Sequence, residues 1–320
     1  MNSKNHSTRI NRREFAKQTA LAGAAVALSG GSPVSAFGAA GPLCIFSKNL
    51  QWLNYDEAAA TAAAMGFNGL DLTVRKNGHV LPENVERDLP KASAAAHKAG
   101  LRVALITTEI DAAENPVHRR VLETAAGLGI GCYRMGWLKY DHSWSIRDNL
   151  KRFHVRLAAL AALNEKIGIA GAYQNHSGAN LGSPVWDIAG LLHDIHSPWL
   201  GCQYDIRHAM VEGANAWPLG LELAAPYINS LDLKDFLWQK KDHRWRAVSV
   251  AMGQGMVDFN DFFARLTNLN VKKDVPLCIH YEYDLGGAEK GSRRITASPE
   301  AVMSAMKKDL DYIKAILGSL

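Results

Sequence analysis

No two cysteines in this 320-residue chain stand in a CxxC spacing, no apolar run reaches the length of a permanent membrane helix, and no low-complexity linker divides residues 42–318. Cys44, Cys132, Cys202 and Cys278 are widely spaced and fall in runs that read as buried strands. They are expected as free thiols behaving as small apolar side chains. A surplus of charge is also missing once the N-terminus is set aside. Residues 1–36 hold Lys4, Arg9, Arg12, Arg13 and Lys17 against Glu14, so four of the five formal positive charges lie there and a chain cut after Ala36 keeps +1. A near-neutral surface exerts no long-range pull on phosphate backbones, which excludes nucleic acid as the expected partner.

Asn11-Arg12-Arg13-Glu14-Phe15-Ala16-Lys17 precedes a weakly apolar, Ala/Gly-rich stretch from Thr19 to Gly30 and the small residues Val34-Ser35-Ala36. That order looks like a twin-arginine export signal. Residues 1–40 are therefore read as signal and short linker, and residues 41–320 as one folded domain. The expected location is periplasmic or otherwise extracytoplasmic, with the twin-arginine machinery as a partner and no stable membrane insertion. Folded export fits reduced thiols and a cofactor loaded beforehand.

After Ala40, short β-prone runs alternate with longer stretches of helical period. Strands are expected near 43–47, 68–73, 102–107, 132–136, 168–174, 201–205, 229–234 and 276–282. Helices are expected over 55–65, 84–99, 117–128, 146–167, 185–193, 218–225, 259–269 and 299–317, with Gly66, Gly100, Gly129 and Gly168 where helices should stop. Eight such units over this length predict a (β/α)8 TIM barrel. A doubly wound sheet fits less well, because Ser47-Lys48-Asn49-Leu50 rather than a Gly-rich phosphate loop follows the first strand. The longest interruption, Leu237 to Asp258, is expected as a loop over the barrel mouth.

Four apolar runs in the second half end on polar clusters: Gln174-Asn175-His176, Asp205-Ile206-Arg207-His208, Asp232-Leu233-Lys234-Asp235 and His280-Tyr281-Glu282. Parallel barrels carry their chemistry at such strand ends. Side chains alternate along a strand, so Gln174 and His176, Asp232 and Lys234, and His280 and Glu282 each share a direction. His208, three residues past Asp205, is expected to lean over the same pocket through a tight turn. Asp235 reads as a cap for the next helix. Arg75 and His79, beyond the second strand, are placed to meet sugar hydroxyls or an anion, and Trp137 to stack on a sugar face. Thr107, Thr108, Glu109 and Arg134 are further lining candidates.

On these residues the chain resembles the sugar phosphate isomerase/epimerase superfamily, the xylose-isomerase-like TIM barrels, over residues 42–318. Relatives carry Glu-Asn-His after the fifth strand, Asp-x-x-His after the sixth, His-x-Lys-Asp at the seventh and a Glu in a Glu-Tyr context at the eighth. Their Glu, Asp, His and Glu bind a divalent metal. Here the sixth-strand motif is kept, while Gln174, Asp232 and His280 stand where relatives have Glu, His and Glu. The resemblance implies a divalent ion (Mn²⁺, Mg²⁺ or Zn²⁺) held by Gln174, Asp205, Asp232 and His280, or by the alternative set His176, Asp205, His208 and Glu282. It implies a metal-assisted isomerase or epimerase acting on a sugar or oxidised sugar through an enediolate. Lys234 and Glu282 would then be the acid/base groups, and His176 and His208 would act with them and hold substrate oxygens. Export turns the expected substrate away from phosphorylated metabolites. A lyase or hydratase cleaving 3-keto-glycosides by β-elimination is the nearest competing reading. A noncatalytic sugar-binding barrel is the reading from a different class.

Overall fold

The computed structural model describes residues 41–319 other than 270 and 273. The twin-arginine segment and its linker lie outside the described residues. Eight strands, β1 (Leu43–Phe46), β2 (Gly69–Thr73), β3 (Arg102–Thr107), β4 (Cys132–Arg134), β5 (Ala170–Gln174), β6 (Leu200–Asp205), β7 (Ile228–Leu233) and β10 (Leu277–Ile279), close into a barrel in the order β1-β10-β7-β6-β5-β4-β3-β2. Every barrel pairing is parallel, as the alternation with helices requires. Cys44 and Cys278 stand in register on neighbouring strands, and all four cysteines are free.

Eight of the nine surrounding helices among the described residues are those the periodicity predicts, with legible ends. The first, α1 (Tyr55–Met65), opens on a capping box between Asn54 and Glu57 and closes on Gly66 at φ 100°. Next come α2 (Val85–Lys98), α3 (Pro116–Gly127) and α4 (Ile146–Ile167), the last capped by the Ser145 side chain and by left-handed Gly168. Then follow α5 (Val185–Ile195), α6 (Ile206–Gly213), α7 (Trp217–Ala224), α8 (Phe259–Asn268) and α9 (Pro299–Leu317). The core-facing stripe of α9, Val302, Met306, Leu310, Ile313 and Leu317, recurs every three to four residues and is buried. Among the described residues no helix is long and apolar enough to cross a membrane.

Three local expectations need correction. The segment after Asp205 is not a tight turn but α6, because the Asp205 carboxylate accepts the His208 N–H and nucleates a helix at once. The last barrel strand ends at Ile279, so His280, Tyr281 and Glu282 leave it as extended loop. The interruption after β7 is an antiparallel hairpin, β8 (Asp235–Lys241) with β9 (Arg244–Val250), rather than a plain loop. It turns through Asp242 and His243, both at positive φ, residue types that tolerate that region better than most.

Asp235 is a cap, as expected, but it does not start a helix. Its buried carboxylate accepts backbone N–H groups from Phe236, Gly253, Gly255 and Val257, tying the chain leaving the hairpin to the chain entering it. A side chain at Gly255 would collide with that carboxylate. Asp235→Ala strands these donors and is expected to cost about 3 kcal/mol in urea unfolding, with protease cleavage appearing first in the hairpin. Unchanged stability and cleavage would contradict this assignment.

Candidate active site

The strand register sets the inner layer of the site. Pairing of Gln174 with Gln203 and of Asp205 with Asp232 lines these polar residues up across β5, β6 and β7 at the C-terminal ends of the strands. Asp71 from β2 and His280 after β10 complete a fully buried group. Gln174 Nε2 donates to Asp205 Oδ2 (3.0 Å) and Asp232 Oδ2 (2.6 Å), and Gln203 Nε2 donates to Asp232 Oδ1 (2.7 Å). Arg134 donates to Gln174 Oε1 (3.1 Å), so the amide oxygen faces the guanidinium and the amide nitrogen faces the carboxylates. The reverse orientation would set oxygen against oxygen and N–H against N–H.

His280 Nε2 lies 3.3 Å from Asp232 Oδ1 and 3.7 Å from Asp71 Oδ2. Burial and then the neighbouring Asp205 push the Asp232 carboxyl well above the usual carboxylate range. Burial, then Lys234, push His280 well below the usual imidazole range. Both directions favour uncharged forms. Asp71 is raised to about 6 by burial, a shift opposed by the Thr107 hydroxyl, which donates to its carboxylate at 2.7 Å, and by Arg134.

Above this layer Lys234 extends its ammonium to Asp205 Oδ2 (2.8 Å) and Glu282 Oε1 (3.2 Å), with His208 Nε2 3.2 Å away. Burial alone would lower its pKa; Asp205, Glu282 and Asp232 outweigh that and raise it. Burial likewise works to raise Glu282, yet Lys234 and Lys48 hold its carboxyl down at about 2. His208 is buried and held far below its ordinary pKa by desolvation and by Lys234. Its Nδ1 receives the Ser177 N–H (3.2 Å) and an Arg207 N–H (2.9 Å). His176 packs between His208 (ring centroids 3.9 Å apart) and Trp137 (4.6 Å), and its Nδ1 donates to Ser177 O at 2.9 Å. That bond leaves Nε2 as the lone-pair nitrogen. Burial and Lys234 lower its pKa as well, so the ring is neutral.

Gln174, His176, Asp205, His208, Asp232, Lys234, His280 and Glu282 thus gather around one mouth, as strand alternation predicts. Trp137 serves the wall, sandwiched by Arg134 (4.7 Å from its ring) and His176. Arg75 reaches the mouth over the Phe46 ring (5.5 Å), and Phe46 stacks on His280 at 4.2 Å. His79 does not reach it. Its ring is buried with Nε2 on Leu50 O (3.1 Å), and burial pushes its pKa down to about 4, so it is a packing residue of the β2 loop rather than a substrate contact. Sequence pattern did not single out Gln203, Phe46 or Lys48. Gln203 was accessible by the same alternation, two residues before Asp205, whereas Lys48 lies in a single 3₁₀ turn that carries no period.

The donor set does not fit a divalent ion. In the set Gln174, Asp205, Asp232 and His280, an amide nitrogen rather than an oxygen points at the two carboxylates, so hydrogen-bond donors stand where ligands would converge. In the alternative set the Lys234 ammonium fills the centre between Asp205, Glu282 and His208. Among the described residues no cluster of three His, Cys, Asp or Glu could hold a metal. The three replacements relative to the family pattern act together: fewer carboxylates, and a protein cation among those that remain.

Two substitutions separate the charged layer from the neutral one. Asp205→Asn leaves Lys234 short of its nearest partner and is expected to cost about 3 kcal/mol of unfolding free energy. Asp232→Asn is expected to cost under about 1 kcal/mol, since Gln203 Oε1 is buried without a partner and can turn to meet the new amide. Denaturant titration of both variants measures the difference, and equal losses would contradict it.

The sequence profile of the xylose isomerase-like TIM barrel family matches residues 59–305. No curated protein matches the chain significantly. Among solved structures, an L-ribulose 3-epimerase superposes with TM-score 0.64 at 16% identity, covering 87% of this chain and 95% of that one. The probable 3-DHS dehydratase AsbF of Bacillus anthracis gives TM-score 0.64 at 12% identity, covering 84% and 98%. A xylose isomerase-like TIM barrel protein from Mycobacterium smegmatis in complex with magnesium gives 0.63 at 11%, covering 87% and 97%. At these identities the likeness is one of fold. With the closed parallel barrel and the family profile spanning most of it, the chain belongs to the xylose isomerase-like TIM barrel family.

Proposed function

We propose that the chain is an enolising sugar enzyme, an isomerase or epimerase of a free or oxidised sugar, in which Lys234 holds the developing enediolate. The observation that carries this reading is the Lys234 ammonium fixed between Asp205 and Glu282 at the C-terminal mouth of the barrel. Removing a proton α to a carbonyl moves negative charge onto the carbonyl oxygen. A pre-oriented cation in a buried site stabilises that charge more in the transition state than in the bound sugar.

His176 is the base in this proposal, because its Nδ1–H is committed to Ser177 O and its Nε2 lone pair is free to take the proton. A single base that receives a proton at one carbon and returns it to the neighbouring carbon completes an aldose–ketose interconversion. Epimerisation requires return from the opposite face, for which Lys234 carries the proton. Glu282, held near 2, is a weak base. It orients Lys234 and accepts from a sugar hydroxyl. The resemblance of the fold to an L-ribulose 3-epimerase supports the substrate class.

The same enolate expels a leaving group at the β position if the substrate is a 3-keto-glycoside, and the likeness to a probable dehydratase supports keeping that reaction as the second reading. Arg12-Arg13 and the Ala/Gly-rich stretch behind them support reading residues 1–40 as an export signal, and with it an extracytoplasmic site of action where free and oxidised sugars rather than sugar phosphates are the available pool. Incubation with a panel of free and 3-keto sugars in D₂O is expected to place deuterium at the α carbon, with aglycone release marking the elimination. Lys234→Met, which keeps the chain length and removes the amine, is expected to slow exchange by about 10³-fold, with the barrel still folded but less stable by about 3 kcal/mol. Exchange at the wild-type rate in that variant would overturn the assignment.

A further inference from the structure

Two cations at the mouth are left over by the chemistry above. Lys48, in the turn after β1, holds its Nζ 5.4 Å from the Phe46 ring centroid, and Arg75, after β2, holds its guanidinium carbon 5.5 Å from the same ring. Neither has a carboxylate of its own in contact. Among the described residues the Arg75 side chain has no hydrogen bond and no carboxylate within 4.0 Å. Lys48 has only Glu282 at 4.0 Å, a carboxylate already engaged by Lys234 at 3.2 Å. A third cation stands behind them, since Arg134 is buried, bonds a neutral amide, and leaves its Nε without any partner.

Such an arrangement is costly on its own. Buried or half-buried cations are ordinarily paired, and like charges gathered over one aromatic ring repel. Burial pulls Lys48 down to about 8, with Glu282 opposing and Lys234, Arg75 and Arg134 adding smaller contributions in the same direction as burial. The platform adjoins the reaction centre, because Phe46 stacks on His280 at 4.2 Å with the rings 18° from parallel. A group bound there lies next to the inner polar layer through His280.

We infer that Lys48 and Arg75 form an anion subsite, so that the substrate is an oxidised sugar carrying a carboxylate rather than a neutral sugar. This rests on the enolising reading above for the identity of the ligand as a sugar, and for its charge on two cations of which one shares its carboxylate and the other has none in contact. The guanidinium presents a planar fork that suits a carboxylate, and the ammonium adds a point charge beside it.

Titration calorimetry of the full chain with D-glucuronate, D-glucose 6-phosphate and D-glucose tests the inference without requiring turnover. D-Glucuronate is expected to bind about tenfold or more tightly than D-glucose, with a preference weakened by added salt, and more tightly than D-glucose 6-phosphate; tighter binding of the phosphate would overturn the carboxylate assignment. In Arg75→Gln the preference is expected to fall to about one, and Lys48→Gln gives an independent loss should the first variant misfold. Equal binding of neutral and charged sugars, no binding of either anion, or a preference that survives both substitutions would overturn the subsite. Because binding is read apart from proton exchange, failure here leaves deuterium exchange into neutral sugars as a separate test of the enolising reading.

Discussion

The pairing of one buried ammonium with two carboxylates is the constraint around which the mouth of this barrel is arranged. Lys234 reaches Asp205 and Glu282 from the end of β7, and a charge so placed is tolerable only with both partners present. Its demands propagate. Asp205 must be held between β6 and the first turn of α6, which the His208 N–H accomplishes. His208 must stay neutral beside the ammonium, which burial and the donors facing its Nδ1 secure. Gln174 supplies hydrogen bonds rather than charge to the same carboxylates, keeping negative charge below the level that would call for an external cation.

The three departures from the family pattern amount to one change. Replacing a carboxylate by the Gln174 amide turns a ligand into a donor. Placing Asp232 on β7 puts a carboxyl beside Asp205, and burial drives it toward its neutral form. His280 then meets Asp232 as an uncharged neighbour instead of a third anion. In the proposed reaction the positive charge at the reacting oxygen is the Lys234 ammonium, supplied from within the chain.

Much of this was legible in the sequence, because parallel barrels impose a strict geometry on strand ends. Period-two alternation was enough to bring Gln174, Asp232 and His280 into one layer and His176, Lys234 and Glu282 into the next. Other features lay beyond local pattern. The hairpin of β8 and β9 was hidden by its charged, exposed residues, which break alternation even though the backbone pairs throughout. Helix α6 was obscured because Asp205 serves at once as strand end, helix cap and ion-pair partner. His79 sat at the correct distance in sequence from Arg75, yet its ring found Leu50 instead of the mouth, a choice made by tertiary packing. The orientation of the Gln174 amide, on which the metal question turns, depends on Arg134 forty positions away.

Anomalous diffraction from crystals grown in excess Mn²⁺ tests the claim of an internal cation most directly. No anomalous peak is expected among Gln174, Asp205, Asp232 and His280, with Lys234 still seated between Asp205 and Glu282. A fully occupied manganese bound by Asp205 and Asp232, with the Lys234 side chain displaced, would contradict that claim.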